Sequence, residues 1–125
     1  MRSYMSELPT VRKLMAIPFL LAFSLGLIGQ AAPQGPHALV AELDGAINPV
    51  SQRFISRAID KAANDGADIM ILTLDTPGGL LSSTREIVQD LLNASVATAV
   101  YVSPAGAQAA SAGTFVTTAA NFAVM

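Results

Sequence analysis

Ala67-Asp68-Ile69-Met70-Ile71-Leu72-Thr73-Leu74-Asp75-Thr76-Pro77-Gly78-Gly79 decides how this chain folds. A nearly continuous apolar run of strand length runs into Thr-Pro-Gly-Gly, a sequence that turns the chain. Such a run reads as a strand buried on both faces, in a parallel sheet covered by helices. Upstream, Ala38–Leu43 is a second strand candidate, closed by Asp44-Gly45. Asn48 and Pro49 suit the cap and first turn of a helix. Phe54, Ala58, Ile59, Ala62 and Ala63 give that helix one apolar face to about Asn64, and Asp65-Gly66 ends it.

Downstream, Ser82 or Ser83 can cap a second helix, with Glu86 completing a capping box. Ile87, Val88, Leu91 and Leu92 form its stripe. Val96–Val102 is another strand, Pro104-Ala105-Gly106 turns the chain, Ala109–Ala120 is helix-compatible, and Phe122–Met125 starts a further strand. Strand and helix alternate through short connections, which predicts an α/β fold built from βαβ units with a mostly parallel sheet.

The N-terminus reads differently. Arg2, Arg12 and Lys13 precede an uncharged run from Leu14 to Gly29, followed by small residues at Ala31 and Ala32. This is the layout of a signal peptide cleaved after Ala31, or of an N-terminal membrane anchor. Residues 1–31 are therefore expected to be leader or anchor, 32–37 a linker, and 38–125 the folded part, exported and lying on the extracytoplasmic, periplasmic side of a membrane. Without residues 1–31 the chain keeps four basic and eight acidic residues, net −4. That leaves no electrostatic footprint for nucleic acid. Zero cysteines and one histidine, His37, exclude thiol chemistry and a multi-histidine metal centre, so no metal or cofactor is expected.

Functional groups in open α/β sheets gather at the carboxyl ends of strands. Parallel strands would place the Asp75–Gly79 turn and Ser111 on one edge. Gly78 and Gly79 carry no Cβ, so their N–H groups can face a carbonyl at close range. Ser111, in Ala110-Ser111-Ala112-Gly113-Thr114, would sit at a helix start, where N–H groups and the dipole favour an anionic intermediate. Ala109, Ala110, Ala112 and Gly113 leave room for a peptide to approach. The plain alternatives are a structural turn and an ordinary serine helix cap. Asp75 is expected to order the strand end rather than to do chemistry.

These residues carry a resemblance. Leu74-Asp75-Thr76-Pro77-Gly78-Gly79, then Val100-Tyr101-Val102-Ser103-Pro104, and Ala109-Ala110-Ser111-Ala112-Gly113-Thr114-Phe115 resemble the nodulation-efficiency protein D (NfeD) family, over essentially all of residues 38–125. The family comprises membrane-bound serine peptidases with a ClpP/crotonase-like fold. The resemblance implies Ser111 as nucleophile, with Gly78, Gly79 and Ala112 shaping the oxyanion and substrate site. It implies a Ser–Lys dyad whose lysine lies several tens of residues after the serine. It also implies later transmembrane helices, a homo-oligomer when intact, and apolar, stomatin-like membrane-protein segments as substrates. Residues 38–125 are then expected to be an incomplete, truncated portion of the peptidase domain. Lys61 is not at the matching position, so residues 1–125 alone are expected to be inactive. A crotonase-type acyl-CoA enzyme and a non-catalytic membrane scaffold of the same fold are the competing readings.

Overall fold

In the computed structural model, which describes residues 35–125, each strand but the last leads into a helix. The order is β1 (Ala38–Asp44), α1 (Pro49–Asn64), β2 (Ile69–Asp75), α2 (Leu81–Leu92), β3 (Ala97–Val102), α3 (Ala112–Ala119) and β4 (Phe122–Val124). The four strands form one sheet in the order β1-β2-β3-β4, every pair parallel. The leader or anchor expected over residues 1–31 lies outside the described residues, as does the start of the linker. Among the described residues no helix is long and apolar enough to cross a membrane.

Side chains on a strand alternate between faces, so register tells which residues line which side. Met70, Leu72 and Leu74 are fully buried, and they pair with Thr98, Val100 and Val102 on the same face. α1 packs on α2 and α2 on α3, giving a single helical layer. Ile55, Ile59, Ile87, Leu91 and Val116 fill the space between that layer and the sheet. Burying one such branched side chain stabilises by about 1.5–3 kcal/mol, so this one-sided core is the main favourable term.

Among the described residues nothing covers the other face, which corrects the reading of β2 as buried on both sides. Val40, Ile71, Ala99 and Phe122 form a row across all four strands, and Thr73, Tyr101 and Val124 form the next. Val40, Tyr101, Phe122 and Val124 are exposed, and Ile69, Ile71 and Thr73 are only half-buried. The apolar run in β2 thus reflects a strand with one dry face and one apolar face left open.

Two helix readings also change. In α1 the buried residues are Ser51, Ile55, Ala58, Ile59 and Ala62, while Phe54 is exposed. The seam is set by Ile55, one position on from Phe54. α2 is not capped by Ser82 or Ser83: its N-cap is Leu80, which makes no side-chain cap, and Ser83 is buried inside the helix. The helix starts early because the Leu80 N–H bonds to the Ile47 carbonyl at 2.9 Å, so a tertiary contact sets the start. Asn48 caps α1 as expected, accepting from the Val50 and Ser51 N–H groups, while Ser51 Oγ accepts from the Asn48 N–H.

Asn48→Ala removes this reciprocal cap at the connection that also carries Ile47. The substitution should cost about 1 kcal/mol of unfolding free energy, read as a lower urea midpoint at unchanged m-value.

Candidate active site

The carboxyl ends of β1, β2 and β3 are tied together by backbone. Ile47, past the end of β1, donates its N–H to the Gly78 carbonyl and accepts from Leu80, each at 2.9 Å. On the other side, the Thr76 N–H donates to the Gln108 carbonyl at 2.7 Å, and the Ala110 N–H donates to the Thr76 carbonyl at 3.0 Å. The Gln108 N–H also reaches Asp75 Oδ1 at 3.0 Å. Asp75 therefore orders the loop that leads to Ser111, the role its position implied.

These ties bring the two sequence motifs into contact. A Cβ built on Gly78 would lie 3.0 Å from Ser111 Cβ, 3.1 Å from the Ala110 oxygen and 3.3 Å from the Ala112 nitrogen. Gly78 also has φ of +108°, a region closed to most side chains. Gly79 is excluded from bearing a side chain for another reason. Its Cβ would fall 2.0 Å from the Ile47 carbonyl oxygen, which a backbone atom cannot vacate. Gly113 repeats the theme, since a Cβ there would meet Thr76 Cγ2 at 2.6 Å and hold α3 off the turn.

Ser111 is the N-cap residue of α3, yet its side chain makes no capping hydrogen bond. Its backbone sits at φ +51° and ψ −109°, the one positive φ outside glycine among the described residues. A left-handed φ on a residue with a Cβ costs on the order of 1–3 kcal/mol. An ordinary cap would sit in the extended region and spend its hydroxyl on the helix. Here Ser111 is exposed at a strained turn from the loop after β3 into α3, and its hydroxyl is not spent on the helix.

The N–H groups around it divide sharply. Gly78 donates to Thr76 Oγ1 at 3.1 Å, while Gly113 and Thr114 bond back to the Ala110 and Ser111 carbonyls. The N–H groups of Gly79 and Ala112 take no part in the bonds that fix this region. Ala112 is the first residue of α3, so its free N–H is one of the helix-start donors, at the positive end of the dipole. Of the predicted site residues, Ser111 offers a hydroxyl, Gly79 and Ala112 offer N–H groups with no acceptor among the described residues, and Gly78 leaves space.

Neither candidate base reaches this edge. Lys61 lies about 18 Å along α1 from Pro49, at ~1.5 Å per residue, so it belongs to the opposite end of the sheet. Its amine pairs with Asp65 at 2.6 Å on the surface. His37 precedes β1 at that same far end, where its backbone pairs with Asp68. Beside the site, Leu81, Thr84, Arg85 and Val88 of α2 and Phe115 of α3 line a mainly apolar groove of about 410 Å³. Phe115 follows Ser111 by one helical turn and Leu81 follows Gly79 by two residues, so the groove is lined by the two helices that start at the site. Sequence reading missed both this groove and Ile47.

Comparison with known proteins bears on the family and the fold. A family model described as NfeD1b, N-terminal domain, matches residues 39–125. The membrane-bound protease PH1510 of Pyrococcus horikoshii is 36% identical over 86 residues, which make up 69% of this chain and 20% of that protein. A serine-to-alanine mutant of the 1510-N membrane-bound stomatin-specific protease aligns with a TM-score of 0.70 at 33% identity, over 73% of this chain and 44% of that one. A lysine-to-alanine mutant of the same protease, in complex with a substrate peptide, aligns at 0.68 and 35% identity, over 70% and 41%. A ClpP1 mutant from Listeria monocytogenes shares the fold at 18% identity and a TM-score of 0.60, over 66% and 46%. The chain thus spans a fifth of its curated relative and less than half of each solved one.

The site makes opposite predictions for two substitutions. Gly79→Ala should lower unfolding free energy by about 3 kcal/mol, because only backbone can yield to the new methyl. Ser111→Gly should raise it by about 1 kcal/mol, since glycine adopts positive φ without strain. Chemical denaturation of both variants beside Gly35→Ala, where a Cβ meets open space and φ is not positive, would check the order.

Proposed function

The chain belongs to the family described as NfeD1b, N-terminal domain, and on that premise we propose that residues 38–125 carry the nucleophile and oxyanion donors of a serine endopeptidase. The observation that bears most weight is Ser111 itself, a strained and exposed serine that does not cap its own helix. Ser111 Oγ attacks the scissile carbonyl. As the carbonyl oxygen gains charge, the N–H groups of Gly79 and Ala112 are the free donors beside it, and outright loss of one such donor costs about 10²–10³-fold in kcat. Gly78 keeps the approach clear.

The attack also needs a base to take the hydroxyl proton. The relative whose substrate complex was solved carries a lysine-to-alanine change. We place the base of this protein on an equivalent lysine, in the part of the relatives that this chain does not span. Lys61 and His37, at the far end of the sheet, do not fill that role, so residues 32–125 alone should cleave nothing above a Ser111→Ala control.

The substrate is a peptide segment rich in apolar side chains, drawn from a membrane-associated protein of the stomatin-like kind. The groove supports that class, because Leu81, Val88 and Phe115 offer an open apolar surface to a substrate side chain. A thioester of coenzyme A has weaker support, since the folded part carries net −4 and Arg85 is the one basic residue lining the groove. Residues 1–31 act as an export leader cleaved near Ala31, or as an anchor, with the peptidase on the extracytoplasmic side and assembling as a homo-oligomer.

In full-length protein, a fluorophosphonate should label Ser111, and Ser111→Ala should abolish both labelling and cleavage. Adduct mapping to another residue, or full activity in the variant, overturns the assignment. Phe115→Ala should weaken cleavage of apolar peptides about tenfold, mainly through KM, as expected for losing part of an apolar subsite. N-terminal sequencing of the protein from its host should find a start near Ala32, whereas a cytoplasmic form beginning at Met1 rules out export.

A further inference from the structure

Thr76 is fully buried at the edge where Ser111 lies, and each of its polar groups is engaged with the surrounding site. Its N–H and carbonyl hold the loop before Ser111 through Gln108 and Ala110. Its Oγ1 accepts from the Gly78 N–H at 3.1 Å and donates to the Gly78 carbonyl at 3.3 Å. Its Cγ2 lies where a Cβ on Gly113 would collide, so the methyl seats the first turn of α3.

The hydroxyl matters because of the peptide bond that follows. The Gly78 carbonyl and the Gly79 N–H belong to one planar trans unit and point in opposite directions. Ile47 N–H and Thr76 Oγ1 draw the Gly78 carbonyl to one side. The Gly79 N–H is thereby turned to the other side, where no acceptor among the described residues meets it. A peptide between two glycines has few steric barriers to flipping, so the two bonds to its carbonyl decide its direction. Ile47 supplies one, and Thr76 supplies the other while also engaging the Gly78 N–H.

We propose that Thr76 is the positioning residue of the oxyanion site, its hydroxyl aiming the Gly79 N–H and its methyl setting α3 beneath Ser111. This rests on the proposed role of Ser111 and Gly79 and adds the device that holds them in register. Thr76 touches no substrate atom; it acts through the 78–79 peptide.

Thr76→Val keeps the shape and the backbone bonds and removes the hydroxyl, whereas Thr76→Ser keeps the hydroxyl and removes the methyl. In full-length protein, Thr76→Val should lower kcat about 10- to 100-fold with KM nearly unchanged, less than outright loss of an oxyanion donor. Thr76→Ser should recover most of kcat while melting at a lower temperature. A folded Thr76→Val with wild-type kcat overturns the proposal, as does a loss carried by KM alone. Should Thr76→Val not fold, Thr76→Ser and Thr76→Ala share the missing methyl and differ only in the hydroxyl. A kcat for Thr76→Ala at least about tenfold below that of Thr76→Ser supports the aiming role, and equal values overturn it. Ser111→Ala run alongside separates the two readings. If it is inactive while Thr76→Val is fully active, only the positioning role fails; if it stays active, both fail.

Discussion

A single backbone crossing, Ile47 against Gly78–Leu80, holds the working edge of this domain. Three hydrogen bonds of 2.9 Å join the exit of β1 to the exit of β2, two of them through Ile47, and the close approach there admits no side chain at Gly79. That crossing directs the 78–79 peptide, starts α2 at Leu81 and fixes where the groove opens. Thr76 extends the same connection toward β3, so three successive strand ends meet around Ser111. Because these are backbone contacts, they depend on two glycines and on the absence of atoms more than on any reactive side chain.

Ser111 shows the local cost of this arrangement. Its strained backbone is held by Thr76 through Ala110, by α3, and by Gly78 packed against its Cβ. The surrounding structure over-determines the conformation, which is the condition under which such strain persists. The balance favours an exposed hydroxyl over a satisfied cap, and a free N–H at Ala112 over a closed helix start. An interior built only for stability would have chosen the opposite in both places.

Much of this was legible in the residues. Strand–helix alternation, the turn after β2, the cap at Asn48 and the meeting of Gly78 with Ser111 all follow from local patterns: apolar runs, Gly and Pro punctuation, and the rule that parallel strands share a functional edge. What escaped is tertiary. Ser82 and Ser83 look like caps for α2, but Ile47 sets that helix start from thirty-odd positions away in sequence. Gly79 reads as a donor, while its tightest requirement is the Ile47 oxygen. Ile69 and Ile71 look like core, yet they belong to a face that no helix of the described residues covers, because apolarity in a short strand does not say which side is covered. Phe54 and Ile55 are neighbours, and an apolar count alone cannot choose which of them turns inward.

Strand order runs β1, β2, β3, β4 along the sheet, so each pairing joins consecutive strands. A chain that emerges N-terminus first can therefore add one strand and one helix at a time, without holding an earlier edge open for a distant partner. The turn at Gly78 and Gly79 is anchored by the first two strands alone. Ser111 arrives only with the third, as the loop bearing Gln108 and Ala110 docks on Thr76. The turn thus forms before the serine meets it, so a nascent chain does not bring Ser111 against Gly78 until its sheet is three strands wide.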